Sequence, residues 1–190
     1  MRADVFNDIR IGLETAGFAV TYEPADDATP VEQLYCLVYV DDAGRSYMAR
    51  MTFANDIAAA MGVEPDIEDI VQFQMNIVLP FEVENPSAEG TARLLHLVNL
   101  VNAPGTFILS EDANAIIYRF VLTSSSYAIE PYLVVEAANM VLSAMMLYGG
   151  LIERVASGAQ SYADALADIQ AQGAEALAGA EQAQTQGANA

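Results

Sequence analysis

From residue 71 to residue 83 the chain alternates almost without a break. Val71, Phe73, Met75, Ile77, Leu79, Phe81 and Val83 fall on one side, and Gln72, Gln74, Asn76 and Val78 on the other. A period of two held this long predicts an antiparallel strand with one buried face. The same alternation predicts a hairpin over 107–111 and 116–123, and another over 33–40 and 45–53. Asp41-Asp42-Ala43-Gly44 between the latter two is turn chemistry. Pairing Val40 with Arg45 sets Val38 opposite Tyr47, Cys36 opposite Ala49 and Leu34 opposite Met51 on one face. The other face then carries Tyr39 with Ser46, Leu37 with Met48 and Tyr35 with Arg50. Residues 18–22 form a shorter strand.

Helical periodicity marks the remaining elements. Val5, Ile9, Leu13 and Ala16 predict a helix over 4–16, stopped by Gly17. A short helix over 55–61 takes Asn55 as its N-cap. A central helix starts at Asn85 with Pro86 in its first position and ends at Asn102, placed as a C-cap with positive φ. A long apolar helix runs from Glu130-Pro131 to about Ala156. Beyond it Ala, Gln and Gly dominate, so 157–190 reads as a frayed helical or disordered tail on a single domain of 1–156. Helices on one face of an antiparallel sheet bury all the alternating apolar positions, which is an α+β fold.

Composition narrows the partners. Hydrophobic residues make up 54% of the 190, ample for one core. The net charge of −19 argues against nucleic acid and anionic membrane, because the long-range field repels phosphate. All seven cations are Arg. The lone cysteine, Cys36, permits no intramolecular disulfide, and the N-terminus lacks the apolar run of a signal peptide, so a cytoplasmic protein is expected. The long apolar helix is long enough to span a bilayer, but Glu136 and Asn139 within it favour a core helix over a membrane span.

The run Leu97-Val98-Asn99-Leu100-Val101-Asn102, followed by Gly105-Thr106-Phe107-Ile108-Leu109, Ile116-Ile117-Tyr118-Arg119-Phe120 and the apolar helix from Tyr132, resembles the YbjN-type domain. That family shares the fold of type III secretion chaperones. The resemblance covers about 4–156 and rests on order and pattern plus one Asn. It implies a secretion-chaperone-like α+β fold and a non-enzymatic protein, commonly dimeric, linked to chaperoning or regulation.

The residues themselves offer little catalysis. His96 is the only histidine and sits in an apolar helical run without a nucleophile motif. No phosphate loop is present, and no cofactor or metal is expected. Glu64, Asp66, Glu68 and Asp69 lack the spacing of a calcium loop. Tyr35, Leu37, Tyr39, Met48 and Arg50 are of the types enriched at interfaces, and together form the candidate partner-binding surface. The expectation is a protein-interaction module that also forms a homodimer through its sheet or central helix. The alternatives are a small ligand- or metal-binding domain or enzyme using the acidic loops around Asp26 and Glu64, and a structural subunit tied in by its tail.

Overall fold

The computed structural model describes residues 2–63, 70–102 and 105–171. The acidic connector 64–69 and the tail beyond 171 lie outside the described residues. The elements run α1 (Arg2–Thr15), β1 (Ala19–Glu23), β2 (Gln33–Val40), β3 (Ser46–Phe53), α2 (Ala54–Ala60), β4 (Val71–Glu82), a 3-10 turn (Asn85–Ser87), α3 (Ala88–Val101), β5 (Thr106–Ser110), β6 (Ala115–Ser124) and α4 (Pro131–Ala156). The fold is α+β, in the order the hydrophobic pattern predicts.

The six strands form one antiparallel sheet in the order β1-β2-β3-β4-β6-β5. One face is buried. Leu34, Cys36, Tyr47, Ala49, Met51, Phe53, Phe73, Met75, Ile77, Ile116 and Tyr118 point into it. α4 lies over the middle of this face, with α1 beside it towards β1 and α3 beside it towards β5. Val134, Ala137, Ala138, Val141, Ala144, Met145 and Ile152 form the inner side of α4. Phe6, Phe53 and Phe73 meet at tilted or edge-on angles with centroids 5.2–6.3 Å apart, which anchors α1.

The first hairpin departs from the expected register. Leu34, Tyr35, Cys36 and Leu37 pair with Met51, Arg50, Ala49 and Met48 as the alternation dictates. A bulge follows, so Tyr39 pairs with Tyr47 and Val40 with Ser46. One extra residue re-aims the side chain after it. Tyr39 therefore joins Tyr47, rings 5.3 Å apart, and leaves the face of Leu37 and Met48. Val40 takes its place there, exposed.

Three asparagines act differently from their expected roles. Asn55 does not cap α2; the N-cap is Phe53, with no side-chain bond. Instead Asn55 Nδ2 donates to the Ile70 carbonyl and Oδ1 accepts from Gln72 N–H, both at 2.9 Å. Asn85 opens a 3-10 turn, and Ser87 stands before α3. Asn102 is the C-cap of α3, but its φ is −89°. It is buried, and its Nδ2 donates to the Gly105 carbonyl at 3.1 Å. The one described non-glycine with positive φ is Asn114.

The packed unit also continues past residue 156. Residues 162–171 are helical, Ala165 is fully buried, and the Arg93 guanidinium sits 4.4 Å from the Tyr162 ring centroid. Tyr162, Ala165 and Ile169 pack back on the core, so the helical part of the expected tail rests against the domain.

Candidate functional site

Among the described residues no long helix covers the second face of the sheet. Register alone places its residues in rows that cross all six strands. One row is apolar. Ala19 pairs with Leu37, Leu37 with Met48, Val78 with Ile117 and Ile117 with Ile108. One step beyond the Ala49–Ile77 pair brings Met48 level with Val78. Met48 is 38% and Val78 60% exposed, while Leu37, Ile108 and Ile117 are half-buried. The row spans about 24 Å from the first strand to the last.

The next row is polar and basic: Thr21, Tyr35, Arg50, Asn76, Arg119 and Thr106. Arg119 Nε donates to Asn76 Oδ1 at 3.2 Å. Arg50 Nε donates to Gln33 Oε1, and Gln33 Nε2 donates to Glu23 Oε2. Gln33 is buried, so this relay fixes the guanidinium in place. Tyr35 stays protonated, its pKa pushed up first by burial and then by Glu23.

Charge separates this face from the rest of the chain. The chain carries 26 Asp and Glu. Strands β2 to β6 give none of them to the rows between Gln33 and Ser110, whereas Arg50 and Arg119 both lie there. Only the two central rows are free of carboxylate; Glu23, which ends the Gln33 relay, and Glu82, which pairs with Ala115, stand at the margins of the face. Two arginines in rows without Asp or Glu locally offset the negative field of the chain.

α2 and the loop 28–31 close one end of the face. Together with Gln33, Tyr35 and Arg50 they line a cleft of about 380 Å³, whose apolar walls are Val31, Ile57, Ala60 and Met61. The cover that α2 provides stops there, so Leu37 and Met48 stay open. The structure thus brings Tyr35, Leu37, Met48 and Arg50 together and removes Tyr39. The pattern of alternation missed Val40, Val78, Ile117 and Arg119 as members of the same surface. Each was visible as an outward position of its strand, but only the strand order joins them.

The other candidates are held by their surroundings. Asp26 Oδ1 accepts from the N–H groups of Ala28 and Thr29, at 2.9 and 2.6 Å, and so shapes its own loop. Asp41 likewise accepts from Ala43 and Arg45. His96 is exposed on α3, and Cys36 is buried with its thiol pushed up to about 12 by burial. Among the described residues no group of three His, Cys, Asp or Glu is placed to hold a metal. Glu136 and Asn139 are exposed on the wet edge of α4. By length and composition alone α4 is long and apolar enough to cross a membrane. Leu100 and Val101 are exposed and Leu97 is half-buried on α3.

No protein-family model matches this sequence, and a comparison with curated proteins finds no match.

Proposed function

We propose that this chain is a non-enzymatic protein-interaction module, chaperone-like or regulatory, that works on its open sheet face. The partner is a protein segment with an apolar stripe and carboxylates beside it, such as an acidic amphipathic helix. One observation carries the reading: a row of aliphatic side chains runs beside a row holding two arginines, and neither row contains Asp or Glu. Burying Leu37, Met48, Val78, Ile117 and Ile108 under a partner contributes about 1 kcal/mol each. Arg50 and Arg119 set the direction of docking and steer an acidic partner to this face alone. The element order supports the likeness to the YbjN-type domain, and the inert, buried Cys36 suits a cytoplasmic setting.

The test is fluorescence anisotropy with labelled amphipathic peptides of matched apolar content. The protein is expected to bind those with acidic flanks, and Leu37→Glu with Met48→Glu to abolish binding while the fold persists. Equal binding by the double variant sinks the reading.

A further inference from the structure

The outer side of α4 repeats in sevens. Leu133, Met140, Leu147 and Arg154 form one line, and Glu136, Ser143 and Gly150 run between them. All seven are exposed, with Met140 at 48% and Leu147 at 70%. Large and small residues alternate along this stripe, and its charges of opposite sign sit near opposite ends.

We infer that α4 is a self-pairing helix, and that a second copy of this chain docks antiparallel on its outer side. Place a two-fold axis beside residue 145. Glu136 then faces Arg154 of the second copy, Met140 faces its Gly150, and Ser143 faces its Leu147. All three pairs share that one midpoint. Each sets a large side chain over a small one or a cation against a carboxylate, which is the self-complementarity an isologous contact requires. A parallel register places Glu136 on Glu136 and Arg154 on Arg154, and is disfavoured by like charge. Arg154 already donates Nη1 to the Gly150 carbonyl and Nε to Gln160, which holds its guanidinium along the stripe. Ser143 Oγ is turned back to the Asn139 carbonyl at 2.9 Å, so it presents a compact surface to Leu147 of the second copy. Glu136, Asn139 and Arg154 along the stripe disfavour a bilayer as the occupant. The sheet face lies on the opposite layer, so this inference stands apart from the proposed function.

The experiment uses the full chain carrying Met140→Cys and Gly150→Cys. On one helix these positions are about 15 Å apart, beyond disulfide reach, so any bond between them joins two copies. The buried Cys36 does not compete. Rapid oxidation to a covalent dimer is expected. In sedimentation at roughly tens of micromolar, Glu136→Arg or Arg154→Glu alone is expected to weaken association about tenfold or more, and the combined swap to restore it. Circular dichroism of each variant checks that it is folded. The inference is overturned by an unmodified chain that stays monomeric, by a dimer indifferent to both charge changes, or by failure to cross-link. It is equally overturned by a monomer that partitions onto phosphatidylcholine vesicles through Leu133, Met140 and Leu147.

Discussion

Asn99 does the work of a strand with one side chain. Its Oδ1 accepts from Phe107 N–H at 2.8 Å and its Nδ2 donates to the Phe107 carbonyl at 2.9 Å. β5 is an edge strand, so these outward groups would otherwise invite another chain. Asn99→Leu leaves both unpaired near the core and is expected to cost about 2 kcal/mol, read as a lower urea midpoint at unchanged slope. An unchanged midpoint contradicts this. Asn102 anchors the same corner through Gly105, where an added Cβ would lie 2.5 Å from the Tyr118 hydroxyl. With φ at −89°, Asn102→Gly and Asn102→Val are both expected to destabilise, since each loses the amide and neither gains from a left-handed site. A neutral Asn102→Gly would speak for a cap role after all. Arg45 forks onto Glu153 at 2.6 and 2.7 Å, tying the first hairpin to α4. That bonding holds the Glu153 carboxyl below its usual range. A depressed carboxylate pKa gives stability that is present above the unfolded value, near 4.3, and lost as pH falls through the folded one. Arg45→Gln should therefore be less stable than the parent at pH 7, and the gap should close as pH falls through the lowered folded pKa values of Glu153 and of Asp41, which Arg45 also bonds. A gap that persists in acid melts removes the ion pair as its cause.

At the scale of elements, periodicity carried most of the architecture. The run from Val71 to Val83 has a single reading as a one-sided strand, and Leu34, Cys36, Met51 and Ala49 fall on the core face for the same reason. The bulge at Val38 leaves no trace in alternation, because Val38, Tyr39 and Val40 are all acceptable on either face; the packing of Tyr39 on Tyr47 decides it. Asn55 was equally illegible as a strand substitute. Its partners, Ile70 and Gln72, lie fifteen and seventeen residues away, and local cap preference points elsewhere. The stretch after Ala156 was legible only as a frayed helical or disordered tail, because its glycines weaken the helical stripe. Tyr162, Ala165 and Ile169 supply the packing that propensity lacks. A chain ending at 156 is expected to be less stable than one ending at 171 by about 2 kcal/mol in thermal melts. Equal melts would show that this helix rests on the domain without supporting it.

The whole molecule has two layers with different outer surfaces. The helical layer ends in the α4 stripe, and the sheet ends in the row of Leu37, Met48, Val78 and Ile117. A dimer joined through α4, as inferred above, would present two sheet faces outward and would bind a two-site partner with a high effective concentration. Each copy carries −19, so association works against repulsion. Salt screens that repulsion and leaves apolar contact intact, and the dimer is expected to hold or tighten from low salt to about 0.15 M. Dissociation over that range would mean that the cross-copy ion pairs outweigh the apolar contact. Arg50 and Arg119 share the row beside the apolar one and are proposed to choose the partner. The most direct measurement is the ratio of affinities for two amphipathic peptides that differ only in acidic or basic flanks, taken for the parent chain and for Arg50→Glu with Arg119→Glu. The parent is expected to prefer acidic flanks, and the variant to reverse that preference. The same ratio in both proteins would contradict it.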